Sequence, residues 1–110
     1  MKISTREVYD VLVVDMEGRL DSKTSGYGYE ELVRLVKGDK KHVVINLQKL
    51  EFITSAGLRS LLVAAKLLQT DRGELRLCNP NDVVKDVLES AGFSSLLRLY
   101  PTEADAIKGF

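Results

Sequence analysis

VVINLQKLEFITSAGLRSLL, residues 43–62, starts in one period and ends in another. Residues 42–47, HVVINL, form a nearly unbroken run of branched apolar side chains, the pattern of a strand buried on both faces. Over residues 56–69 the apolar positions Leu58, Leu61, Leu62, Ala65 and Leu68 fall at i, i+3, i+4, i+7 and i+10, one stripe of an amphipathic helix. Two hydroxyls, Thr54 and Ser55, lie at the junction. Either can accept a hydrogen bond from an otherwise unpaired N–H of the helix start. A helix start also tolerates an anion, because its free N–H groups and dipole favour negative charge. A phosphate there adds about 1.5–2 negative charges without breaking the helix.

The same alternation extends outward in both directions. Residues 2–7 (KISTRE) predict a short strand, Tyr9-Asp10 a hairpin turn, and residues 10–16 (DVLVVDM) a valine-rich strand. Gly18 predicts a turn through Arg19, Leu20 and Asp21. Ser22 or Thr24 can cap a helix over 24–37 that Gly38 ends, with Leu32, Leu35 and Val36 on its apolar side. Beyond the central helix, Gly73 precedes a strand over 74–78, and Asn79 or Asn81 can cap a helix with Pro80 near its first turn. That helix carries Val83, Val84, Val87, Leu88 and Ala91 on its apolar face and ends at Gly92. Residues 96–100 predict a last strand, and Pro101-Thr102 open a final helix over 103–108. Alternating strands and helices give an α/β fold: a mostly parallel sheet of four to five strands with right-handed crossovers, an antiparallel N-terminal hairpin and four helices. Functional groups of such sheets sit beyond the carboxyl ends of the strands, which predicts Asp21, Ser55 and Asn79 on one rim.

Composition narrows the function. A chain of 110 residues, 45% hydrophobic, is one domain with enough apolar surface for a core. Sixteen basic and sixteen acidic residues cancel to a net charge of +0, which argues against general nucleic-acid binding. Charge interrupts every apolar run well short of a membrane span, and MKISTREVYD lacks the apolar region of a signal peptide, so a cytoplasmic location without membrane insertion is expected. The single cysteine, Cys78, excludes an internal disulfide and a thiolate metal cluster.

Catalytic readings fail on geometry. Ser55-Ala56-Gly57 is half of a nucleophile elbow, but position 53 is Ile where the first glycine belongs. The only histidine, His42, opens the strand whose far end leads to Ser55, and five strand residues span roughly 16 Å. A general base must lie within about 3 Å of its proton, so no catalytic residue is assigned. Carboxylates and histidine show no ligand spacing, and no metal or other cofactor is expected. Gly26 and Gly28 imitate a phosphate loop only superficially, since no strand directly precedes them and the Lys-Ser/Thr is missing. Asp21 reads as a turn residue or a charge on the rim.

At this point the chain resembles a STAS domain of the anti-sigma-factor antagonist family. The resemblance rests on GRLD (18–21), VVINLQKLEFITSAGLRSLL (43–62), GELRLCNPNDVVKDVLESAGF (73–93) and LLRLYPTEADAI (96–107). It implies a partner-switching protein that catalyses nothing. Unphosphorylated, such a protein binds an anti-sigma factor, a serine protein kinase of the histidine-kinase-like ATPase type, and frees the sigma factor. The kinase phosphorylates a serine at the helix start, and a PP2C-type phosphatase resets it. Motif alignment makes that serine Ser55, with Thr54 the alternative hydroxyl, and puts Asp21, Thr54, Ser55, Gly57, Leu58 and Arg59 on the partner-binding rim. The chain departs from the family where Thr54 and Asn46 replace aspartates, which implies a less acidic rim. The alternative function is a STAS docking module outside sigma control, a subunit of a signalling or lipid-transport complex that is not phosphorylated.

Overall fold

The computed structural model describes residues 1–91 and 97–110. Strands β1 (Lys2–Val8) and β2 (Val11–Leu20) form the antiparallel hairpin. There follow α1 (Ser25–Val36), β3 (His42–Ile53), α2 (Ser55–Thr70), β4 (Glu74–Cys78), α3 (Asp82–Ser90), β5 (Arg98–Tyr100) and α4 (Glu103–Ile107). The sheet order is β1-β2-β3-β4-β5, with β2 to β5 mutually parallel.

That order steps across the sheet in one direction. Right-handed crossovers stepping one way leave their helices on one face, and α1, α2 and α3 do share a core. Leu32 and Val36 from α1, Leu61, Ala64 and Leu68 from α2, and Val84 and Leu88 from α3 pack there against Val14, Met16, Val43, Ile45, Leu47, Leu75 and Leu77. The opposite face has a smaller core under α4, where Ala106 meets Val11, Val13, Val44 and Cys78. Alternate residues of β2, β3 and β4 thus serve two cores, which is why these strands read as nearly continuous apolar runs.

Several boundaries differ from expectation. Gly18 does not turn the chain. Its φ of 107° accommodates an irregularity in the β2–β3 ladder between Gly18 and Arg19, and β2 continues to Leu20. Strand β3 likewise does not stop at Leu47 but runs to Ile53. Past Asn46 it pairs with β2 alone, because β4 ends where Cys78 faces Asn46. The free edge of this extension is met by Asn81, whose Nδ2 donates to the carbonyls of Leu50 and Glu51 at 3.2 and 3.1 Å. Asn81 is also the cap of α3, its Oδ1 accepting from Val84 N at 2.8 Å. Asn79 has φ 57° and ends β4 instead. In α3, Val84 and Leu88 are buried whereas Val83 is 51% exposed and off the apolar face. The expected helix end at Gly92 and strand start at Leu96 lie outside the described residues; β5 begins at Arg98.

Candidate functional site: the rim formed by β2, β3, α1 and α2

Leu20 and Ile53, the last residues of β2 and β3, are register partners, so the chain leaves both strands at one level. Asp21 and Thr54 follow them directly. Asn79 does not reach this level, because β4 ends beside Asn46, well short of Ile53. The expected rim of three strand ends is therefore a rim of two.

Thr54 is the hinge between β3 and α2. Its N–H donates to Leu20 O at 3.0 Å, which ends the ladder, and its Oγ1 accepts from Gly57 N at 3.3 Å, which caps the helix. Ser55 is the first residue of α2; it is exposed, and among the described residues its hydroxyl has no hydrogen-bond partner. Gly57 lies at the closest approach of α2 to β2. A Cβ on it would fall 2.5 Å from Leu20 O and 2.7 Å from Leu20 Cγ. Leu58 follows in the core, 4% exposed, and Arg59 emerges on the surface. Of the residues expected on the rim, Asp21, Thr54, Ser55 and Arg59 have solvent access, while Gly57 and Leu58 support it from beneath.

The Asp21 loop is built by short-range hydrogen bonds. Asp21 Oδ1 accepts from Lys23 N at 2.9 Å and from Thr24 N at 3.2 Å. Thr24 Oγ1 in turn donates to Arg19 O at 2.7 Å and leaves α1 without a side-chain cap. Burial pushes the Asp21 carboxyl up, but these donors and the Arg19 charge outweigh it and hold it below its ordinary value. Arg19 lies over Phe52, 5.2 Å from the ring centroid, and 3.8 Å from Asp21. The rim is closed below by Ser60, whose Oγ donates to Ser25 O at 3.3 Å and ties α2 to α1.

Asn46 does not belong to this rim. It faces α4, 8% exposed, and its Nδ2 donates to Glu103 Oε1 at 3.0 Å. Its replacement of an aspartate therefore leaves the charge of the rim unchanged. Glu103 also binds Arg6, which bridges to Asp15 at 2.8 Å. The Arg6 guanidinium, then Asn46, hold the Glu103 carboxyl below its usual range against the opposing effect of burial. Sequence reasoning missed a second anchor of α4. Arg76 donates to Ala106 O at 2.9 Å, Lys108 O at 3.1 Å and Glu74 Oε2 at 2.9 Å, and lies 3.8 Å from the Phe110 ring centroid. A lone arginine inside an apolar strand was the available signal.

Ser55 has no base beside it. His42 stacks on Phe110 at 4.5 Å, at the opposite end of a strand twice as long as expected. Among the described residues there is no group of three or more His, Cys, Asp or Glu able to hold a metal, and no helix long and apolar enough to cross a membrane. Ser55 is thus an exposed hydroxyl on a helix start capped by Thr54.

Comparison with known proteins agrees. The STAS domain family model matches residues 2–106. The chain is 32% identical over 110 residues to BtrV of Bordetella bronchiseptica, which carries the name of an anti-sigma factor antagonist, covering 100% of this chain and 95% of BtrV. It is 30% identical over 98 residues to the anti-sigma F factor antagonist of Paenibacillus polymyxa, covering 88% of this chain and 84% of that one. The fold superposes on the unphosphorylated anti-sigma factor antagonist SpoIIAA with a TM-score of 0.79 at 22% identity, over 96% of this chain and 93% of SpoIIAA. The Bacillus cell fate determinant SpoIIAA in its phosphorylated form gives 0.71 at 21% identity, over 96% of each chain. The chain belongs to the STAS domain family and is a homologue of the anti-sigma factor antagonists.

Proposed function

We propose that this protein is a phospho-switched antagonist that binds an anti-sigma factor in its unphosphorylated form and releases it once Ser55 is phosphorylated. The observation that carries the reading is the division of labour at the start of α2: Thr54 spends its hydroxyl on the cap, while the Ser55 hydroxyl faces solvent. The kinase is the anti-sigma factor itself, of the histidine-kinase-like ATPase type. It transfers the γ-phosphoryl of ATP to Ser55 Oγ, the hydroxyl proton leaving to a base on the kinase. A PP2C-type phosphatase returns the hydroxyl. The phosphate changes what the rim can dock by adding about 1.5–2 negative charges where a helix start accepts them. That SpoIIAA is solved both with and without a phosphate supports the reading.

The test is incubation with the cognate kinase and ATP, followed by fragment mass spectrometry of residues 51–62. One phosphate per chain on Ser55 is expected. Ser55→Ala is expected to bind the partner permanently, and Ser55→Asp to bind it more weakly. Phosphate on Thr54 alone would overturn the assignment of the residue. No phosphate at either would overturn the switch and favour a constitutive docking module. An Asp variant that binds as tightly as the parent would refute the charge mechanism.

A further inference from the structure

Helix α2 lacks the carboxylate often found at helix starts. The N-terminal turn favours carboxylates and disfavours cations. Helices α3 and α4 comply, with Asp82 in one first turn and Glu103 and Asp105 in the other, whereas α1, like α2, has no acid there. Helix α2 has no acid in its first turn, and indeed no Asp or Glu anywhere between Ser55 and Thr70, yet it carries Arg59 five residues in. Arg59 is exposed, and among the described residues it makes no ion pair and no side-chain hydrogen bond. The other guanidinium near this rim, Arg19, is engaged by Phe52 and Asp21. A cation one turn past an acid-free helix start, exposed and unpaired among the described residues, points to an anion that arrives later.

Arg59 stands at i+4 from Ser55. Residues at that spacing share a face, with Cβ atoms about 5–6 Å apart, and the order anion first, cation four residues on, is the favourable one. Helix side chains lean toward the N-terminus, so a residue covers the turn before its own Cα. The Arg59 side chain therefore leans over the turn that Ser55 opens. A planar guanidinium can meet two phosphate oxygens at once.

We propose that Arg59 is the internal counterion of a phosphate monoester on Ser55. The proposal rests on the reading of Ser55 as the modified residue, and it adds a second change to the switch. Phosphorylation both adds negative charge to the rim and withdraws from it a guanidinium that was free to meet a partner.

The test bypasses the kinase. Phosphoserine is incorporated at position 55 during translation, and the phosphate is titrated by its phosphorus resonance in the parent, Arg59→Ala and Arg59→Lys. Asp21 is the carboxylate of the neighbouring loop and Arg19 its guanidinium; both are the same in all three proteins, so the difference isolates residue 59. In Arg59→Ala the second phosphate pKa, ordinarily about 6, is expected to rise by about 0.15–0.4 unit relative to the parent. Arg59→Lys is expected to recover at least half of that shift, and the shift is expected to shrink at about 1 M salt, where exposed pairs are screened. Arg59→Ala without phosphate is expected to unfold at the same urea concentration as the parent. A phosphate pKa that is unchanged in Arg59→Ala overturns the proposal, as does a shift that Lys leaves wholly unrecovered. A kinase that leaves Ser55 unmodified would refute the switch while leaving this titration standing, so the two failures are distinguishable.

Discussion

Replacing Asn46 by Asp exchanges one NH2 for one oxygen inside the contact between β3 and α4. The retained oxygen still accepts from Gln48 N, at 2.9 Å in the parent. The other position, now 3.0 Å from Glu103 Oε1, changes from donor to acceptor. A hydrogen bond to a charged partner, worth about 1.5–3 kcal/mol, is lost. Two carboxylates about 3–4 Å apart at an effective dielectric of about 20 repel by about 4–5 kcal/mol. Arg6 offsets part of this, although it already serves Asp15 and Glu103. Glu103 has a side-chain exposure of 25%, so water screens a further part. The expected net loss is about 2–4 kcal/mol at pH 7, large for a single surface-adjacent change. Repulsion raises the pKa of the introduced carboxyl in the folded state above its unfolded value. An acid with a raised folded pKa destabilises increasingly as pH rises through that window and ceases to do so once protonated. The penalty is therefore expected to fade below about pH 4, where the protonated carboxyl donates to Glu103 as the amide did. Urea unfolding of parent, Asn46→Asp, Glu103→Gln and the double variant, at both pH values, reads this directly. The double variant is expected to be more stable than the sum of the single losses implies. Equal stability of Asn46→Asp and parent at pH 7, or a loss independent of pH, refutes the reasoning.

Gly57→Ala, which in an ordinary helix gains up to about 1 kcal/mol, is expected to lose about 2–4 kcal/mol here, because its Cβ meets backbone Leu20 O; thermal unfolding decides the sign. Arg76→Met removes the donors that hold the Ala106 and Lys108 carbonyls and is expected to cost about 1–3 kcal/mol by the same measurement, since the buried Ala106 acceptor is left unpaired. Cys78 is buried and its thiol is pushed up to about 12 by that burial, then by Glu103 and Asp15, against the opposing charge of Arg6. A thiol-specific disulfide reagent at pH 8 is therefore expected to label the protein at the rate at which it opens, and immediate labelling of the native protein would contradict the packing under α4.

The residues that announced the fold act locally. Thr54, Asn81 and Thr102 each cap a helix through an N–H three residues ahead, a pattern written in adjacent letters. The stripe from Leu58 to Leu68 is legible for the same reason, as is the position of Thr54 and Ser55 at the start of α2. What the sequence hid is carried over long separations. Arg6 meets Glu103 across 97 positions and Arg76 meets Ala106 across 30, and neither pair leaves a periodic trace. Gly18 was misread because a glycine with positive φ serves a bulge as well as a turn, and only the neighbouring strand decides which. Asn79 was placed on the rim because strand order was inferred without register; β4 stops beside Asn46, a fact set by its five-residue length.

The portion of β3 from Leu47 to Ile53 has a strand partner on one side only. Its other side is tied to the body of the protein by the Asn81 amide. Hydrogen exchange senses such differences, since stretches bounded by few partners open with less free energy than the whole molecule. Amides here are placed to exchange ahead of those between His42 and Asn46, which have strands on both sides. The fold thus grades the pairing along a single strand: an upper half, hydrogen-bonded to a strand on one side, carries Thr54 and Ser55 and is rooted in a lower half held between two strands and two cores. A surface mounted this way can settle against a partner by a local fluctuation that leaves the rest of the sheet undisturbed.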